Sequence, residues 1–264
     1  MSAAPGALAQ AGTFAALLGR NLRQMPRIPT VLVFGIVMPV VQLALFGSIF
    51  SSVTAIPGNP YQGVNYYAYI APAIVLLTAF MGMANVSAAL IVDLRTGYFD
   101  KLRTTPASGA TILGARVAAD MARVALQCVV VLLLAAALGA TVATGLAGAA
   151  AMIVLAVVFS AATVAPLVMV LAMRTKSDQA TQSAFPLFFV LLFLSTAYMP
   201  APLLPSWLRE VVRWNPIDYV IRSLRTLMLQ GWPLDDIAVA LGASLAAAVV
   251  LGLAVRRTYR AVTA

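Results

Sequence analysis

Charged residues make up only 9% of this 264-residue chain, so the places where they gather are informative. The densest gathering is Asp93 to Pro106, DLRTGYFDKLRTTP, which holds two Asp, two Arg and one Lys. Long apolar runs flank it. A cluster of this kind in hydrocarbon would carry a large desolvation cost, so it belongs in water between two membrane crossings. Its residue types suit an interface better than a reaction centre. Tyr98, Phe99 and Leu102 recur at near-helical spacing, which allows one apolar side among Asp93, Asp100, Lys101 and Arg103. Two readings fit: a solvated connector that obeys the positive-inside rule, or a short amphipathic helix docking on a cytoplasmic partner.

A second set of candidates lies inside the apolar runs. Arg116, Asp120 and Arg123 are spaced i, i+4, i+7, which puts them on one helical face with Asp120 able to pair with either arginine. Such a face either lines a pathway or protrudes into the cytoplasm. Gln42, Asn85 and Gln127 interrupt three separate apolar runs, one apiece. Uncharged amides at that depth need a protein partner or a wet cavity.

Much chemistry is excluded. There is no His, which removes His-ligated metal sites, Ser-His dyads and His proton relays. The single Cys, Cys128, sits in an apolar run, so there is no disulfide framework. No GxxxxGK[ST] phosphate loop, nucleophile elbow, pair of catalytic carboxylates or metal cluster is present. The chain is therefore expected to hold no metal or cofactor of its own and to bind no nucleic acid. An integral-membrane enzyme is the reading from another class, and substrate turnover by the isolated chain would be its signature.

These residues must be positioned by membrane helices. The chain is 62% hydrophobic, where a soluble domain is about half apolar, and its mean hydropathy is +0.96. Continuous apolar runs reach the roughly 20 residues a bilayer crossing needs, and they do not alternate as barrel strands do. The expectation is an all-α polytopic membrane protein, one domain over residues 1–264, with six transmembrane helices at about 30–50, 66–92, 115–140, 147–173, 182–199 and 237–255. Residues 13–27 read as an interfacial amphipathic helix, with Phe14, Leu17, Leu18, Leu22 and Met25 opposite Arg20, Arg23 and Arg27. Tyr66, Tyr67 and Tyr69 read as an interfacial aromatic belt. Thr105 as N-cap and Pro106 in the first turn read as the start of a new helix ahead of the third crossing. Three prolines between Met199 and Pro205 break the fifth, and residues 200–232 form an outer, partly re-entrant region. The first residues show no basic segment ahead of an apolar core, so no signal peptide is expected. With both termini inside, 13 of the 17 basic residues fall on the inner side. The other four, Arg209, Arg213, Arg222 and Arg225, lie in the long segment after the fifth crossing.

The stretch DLRTGYFDKLRTTPASGATILGARVAADMARVALQ resembles the cytoplasmic loop and third crossing of ABC-2 type transporter permeases, most of all the daunorubicin-resistance-like drug exporters of bacteria. The resemblance rests on Asp93, Gly97, Asp100-Lys101-Leu102, Thr105-Pro106, and Leu113-Gly114 with Arg116, one residue being inserted before that Arg. A second stretch, LLPSWLREVVRWNPIDYVIRSLRTLMLQG, resembles the outer re-entrant region through Pro205-Ser206-Trp207-Leu208, Asn215-Pro216 and Leu224-Arg225. Asp93 stands where many such permeases carry Glu, and the charge is kept. The resemblance implies an ABC-2 type permease fold in the cytoplasmic membrane of a bacterium, paired with a second permease copy as homodimer or related heterodimer. It implies two copies of a separate ATP-binding subunit, which would carry the ATP and Mg. Residues 93–106 would be the coupling helix that meets that subunit. The implied activity is outward movement of a lipophilic or amphipathic compound, or of a lipid-linked glycan or envelope precursor by the same machinery.

Overall fold

The computed structural model describes residues 7–24, 29–57, 60–96, 108–177, 179, 181, 183, 185–232 and 234–263. The described α-helices are α1 Ala7–Gln24, α2 Pro29–Ile49, α3 Tyr66–Ala84, α4 Val86–Arg95, α5 Gly109–Ala137, α6 Gly145–Thr175, α7 Phe185–Phe193, α8 Ser206–Trp214, α9 Pro216–Leu229 and α10 Leu234–Thr263. No strand occurs among the described residues. Four of their stretches are long and apolar enough to cross a membrane: Tyr66–Arg95, Gly109–Ala137, Gly145–Thr175 and Leu234–Ala261. The shorter Gly35–Ile49 in α2 is also apolar.

The bundle is built around α3. Its sequence is apolar on every side, as a fully enclosed helix requires. It packs against α2, α5, α6 and α9, while α10 lies along α6, and α1 lies along α5. Caps set the helix starts. The Asn65 side chain accepts from the Tyr67 N–H at 2.9 Å to open α3, and Ser108 accepts from the Thr111 N–H at 3.1 Å to open α5. α5 begins at Gly109, and Thr105-Pro106, the expected helix start, lie outside the described residues. Gly139 and Gly145 take φ of +86° and +64° in the turn between α5 and α6.

Several expected boundaries move. The amphipathic N-terminal helix runs from Ala7 to Gln24 instead of 13–27, with 25–28 outside the described residues. Arg20 does not stand clear of the protein: with Leu17 and Asn21 it faces Asp93 and Arg116 across a small cavity. The second crossing is broken at Asn85 into α3 and α4. The largest correction concerns the fifth. Its helix, α7, stops at Phe193, and 194–199 run as turns although the sequence there, LSTAYM, carries no charge, proline or glycine. The amphipathic segment after it is two helices, α8 and α9, parted at Asn215-Pro216. The tyrosine belt is also corrected. Tyr66 and Tyr69 are buried inside the chain, and only Tyr67 stays partly open.

Candidate functional site

Two polar centres lie at opposite ends of the bundle. The first surrounds the unwound residues 194–199. A backbone released from helix in an apolar setting needs substitute partners for its N–H and C=O groups. Here they come from α9 and α3. Asn215 Nδ2 donates to the carbonyls of Leu191 at 2.7 Å and Leu194 at 2.8 Å, while its Oδ1 caps α9 by accepting from Ile217 N–H at 3.0 Å. Arg225, only 3% exposed, donates from Nη2 to the carbonyls of Thr196 at 2.7 Å and Ala197 at 3.3 Å. Its Nε donates to the Tyr69 carbonyl at 3.3 Å and its Nη1 to Thr196 Oγ1 at 3.1 Å. The guanidinium also lies 3.9 Å from the centre of the Tyr69 ring, within cation–π range.

Asp218 Oδ1 accepts from both the N–H and the hydroxyl of Thr196 at 2.7 Å each, so Thr196 bridges Asp218 and Arg225. Arg222 Nε forms an ion pair with Asp218 Oδ2 at 2.6 Å, off the line of a hydrogen bond. The hydroxyls of Tyr69 and Tyr66 donate to the carbonyls of Thr196 at 2.8 Å and Tyr198 at 2.7 Å. The far end of α9 is tied to the α5–α6 turn, where Thr144 Oγ1 donates to the Leu227 carbonyl at 2.7 Å. α9 is therefore locked at both ends and buries one face. Beside it α8 stays on the surface, with Trp207 and Trp214 exposed.

The sequence reading named Asn215, Pro216 and Arg225 here and missed Asp218, Thr196, Tyr66 and Tyr69. One signal was available: Asp218, Arg222 and Arg225 recur at i, i+4, i+7, so they share a face of one helix. Their targets lie more than twenty residues away in sequence, and no local pattern announces those.

The second centre is at the other end. Arg116 Nη2 meets Asp93 Oδ2 at 3.0 Å, which ties α5 to α4. Asp120 pairs with Arg123 on its own helix. Arg123 Nη2 also donates to the Gly82 carbonyl at 3.0 Å. That group lies one turn before the break at Asn85, where Asn85 N–H and Nδ2 reach back to the carbonyls of Gly82 at 3.2 Å and Met81 at 3.0 Å. The face of Arg116, Asp120 and Arg123 is thus turned into the protein rather than protruding. Arg95 donates to the Lys176 carbonyl from Nε at 3.3 Å and Nη2 at 2.9 Å, holding that residue at φ +50°. Ser108 N–H donates to Gln10 Oε1 of α1 at 3.2 Å. Both stems of the charged stretch are consequently pinned. Gly97, Tyr98, Phe99, Asp100, Lys101, Leu102 and Arg103 lie outside the described residues.

The three amides are not gathered into one cluster. Gln127 is buried, and a Cβ added at Gly35 of α2 or Gly82 of α3 would come within 2.1 Å of its Nε2 or 3.1 Å of its Oε1. Asn85 sits one turn from Gly82 and serves the helix break. Gln42 is on α2, and its Oε1, like that of Gln127, is buried without a hydrogen-bond partner. Among the described residues no group of three or more His, Cys, Asp or Glu could hold a metal.

Long apolar helices packed around α3, with polar centres at the two ends of the bundle, define a multi-pass membrane protein. Residues 13–229 match the family model described as ABC-2 type transporter, and the chain belongs to that family. It is 27% identical over 212 residues to the transport permease ycf38 of Cyanophora paradoxa, covering 80% of this chain and 72% of that one. The corresponding protein of Pyropia yezoensis is 28% identical over 215 residues, at the same coverages. The daunorubicin resistance ABC transporter permease protein DrrB1 of Streptomyces coeruleorubidus is 22% identical over 245 residues, covering 92% of this chain and 84% of that one.

Proposed function

We propose that the chain is the membrane subunit of an ATP-driven exporter that moves a lipophilic or amphipathic, drug-like compound outward across the cytoplasmic membrane of a bacterium. The observation that carries this is the ABC-2 type match over residues 13–229 in a chain with no phosphate loop. ATP and Mg would be held by a separate ATP-binding subunit, in two copies. Pinned stems on either side of residues 97–107 support that stretch as the contact with it. The exposed apolar faces of α2 (Leu45, Ile49) and α5 (Leu126, Leu133) would meet lipid and a second permease copy. The drug-like class is suggested by the name of the Streptomyces relative. Gln42, Asn85, Asp120 and Gln127 would line the pathway, and the unpartnered carbonyl oxygens of Gln42 and Gln127 favour a wet or ligand-facing wall. Vesicles holding this chain with its ATP-binding partner are expected to accumulate a daunorubicin-like compound on addition of ATP, and vesicles with the chain alone are not. Chemical conversion of the compound by the chain alone would overturn the reading.

The proposed topology has six crossings with both termini inside. It agrees with the way polar ties alternate between ends: Asn65 to Leu138, Tyr66 to Tyr198 and Thr144 to Leu227 at one, Asp93 to Arg116 and Arg95 to Lys176 at the other. Single cysteines at Trp207 or Trp214, introduced with Cys128→Ser, should react with a membrane-impermeant thiol reagent added outside intact cells. Reaction from the cytoplasmic side alone would reverse the orientation.

A further inference from the structure

A cleft separates the last turns of α6 and α10 at the inner end. One cavity of about 510 Å³ is lined by Met173, Arg174, Lys176, Arg257, Thr258 and Ala261. A second, of about 410 Å³, is lined by Arg174, Val250, Leu253, Ala254 and Arg257. The two share Arg174 and Arg257, so they form one groove with two characters. Along α10, residues 250, 253, 254, 257, 258 and 261 follow the i, i+3, i+4, i+7 pattern of one helical stripe. The stripe is apolar up to Ala254 and then presents Arg257, with about 10 Å of helix between Val250 and Arg257. No described lining residue is an acid. Asp178, two residues beyond Lys176, is outside the described residues. Thr258 lines the basic part, is 3% exposed, and its hydroxyl has no hydrogen-bond partner in the protein. A helical Thr commonly donates to the carbonyl four residues back, and this one does not.

A cation in the last turn of a helix complements the dipole, which accounts for a basic residue on each helix. It does not account for a groove that continues into exposed Val250 and Leu253. A docked acidic protein surface would use the cations but has no use for the apolar half. A phosphate ester joined to acyl chains uses both. We infer that this groove is a binding site for one anionic glycerophospholipid, with its phosphate between Arg174, Lys176 and Arg257 and an acyl chain along Val250, Leu253 and Ala254. Basic pockets between membrane helices at the inner face suit such headgroups.

The test uses the purified chain in detergent, with phosphatidylglycerol, phosphatidylcholine and soluble glycerol phosphate as separate probes and bound lipid counted by native mass spectrometry. Phosphatidylglycerol is expected to be retained and to raise the melting temperature, with phosphatidylcholine doing neither. The variant R174Q/R257Q should weaken retention about tenfold or more. L253E should weaken it as well, while R256Q, beside the groove but not lining it, should leave it unchanged. Equal loss with R256Q would mean unselective charge attraction and overturn the site. Competition by glycerol phosphate as strong as by the lipid would overturn the acyl groove. Full lipid retention by R174Q/R257Q together with lost association of an ATP-binding subunit would make this face a protein-docking surface and overturn the lipid assignment. Lipid counted on the intact wild-type chain keeps the proposal testable if a variant folds poorly.

Discussion

Replacing Arg225 with leucine is expected to lower the stability of the folded chain by about 3–5 kcal/mol, the range for removing one partner from a buried charge network. Leucine is shorter than arginine, leaves the guanidinium's place unfilled and supplies none of the donors. The carbonyls of Tyr69, Thr196 and Ala197 each lose a partner, and Thr196 Oγ1 loses its donor. Thr196, which bridges Arg225 to Asp218, then keeps only its two bonds to the carboxylate. Lysine should rescue only part of the loss. One ammonium keeps the charge but has neither the planar fork that serves three carbonyls nor the flat face set against Tyr69. Arg222→Leu is the control. Its side chain is 45% exposed, and its removal should cost about 1 kcal/mol or less. Thermal melting of the three variants in one detergent, followed by size-exclusion of the heated protein, gives the ranking. Arg225→Leu melting with the wild type would mean that the unwound residues 194–199 are held by apolar packing alone.

The second large effect concerns residues with no stability role assigned to them. Tyr98→Ala and Phe99→Ala are each expected to insert and melt normally, yet to weaken association with the ATP-binding subunit by about 2 kcal/mol, or roughly thirtyfold in Kd. A central aromatic inside a charged rim is the kind of side chain that dominates a protein interface. The stems fix where the stretch emerges: Asp93 to Arg116, Arg95 to the Lys176 carbonyl, and Ser108 to Gln10. Truncating an aromatic between pinned stems leaves the stems in place, so the loss should appear in binding and not in folding. Co-purification and ATP-dependent transport at wild-type levels in both variants would remove this stretch from the interface.

What was legible in the sequence follows what is local. The crossings of α5, α6 and α10 come from long apolar runs, and each structural helix contains most of the expected span. Helix starts at Asn65, Ser108 and Asn215 are decided by a side chain and an N–H two or three residues on, so cap chemistry can find them once the run is known. The early end of α7 could not be read. Residues 194–199, LSTAYM, carry no charge, proline or glycine, and what stops the helix is Asn215 and Arg225 competing for its carbonyls from far along the chain. Spacing lets Asp120 pair with either Arg116 or Arg123; it pairs with Arg123, and Arg116 reaches Asp93 on another helix. Gln127 reads as an isolated amide in the sequence, while the glycines that make room for it are on two other helices. In each case tertiary partners decide between options that local spacing leaves open.

The break at Asn85 has a mechanical consequence. On one side, α3 is enclosed by four neighbouring helices and has little room to move. On the other, α4 is a ten-residue arm, about 15 Å long, with the charged stretch at its tip. A swing of about 10° at Asn85 would displace that tip by about 2.6 Å. Both sides of the pivot are held from the same helix, Gly82 by Arg123 and Asp93 by Arg116. α4 itself lies along α6, so a displacement of the tip would be shared between α6, through packing, and α5, through its two arginine ties.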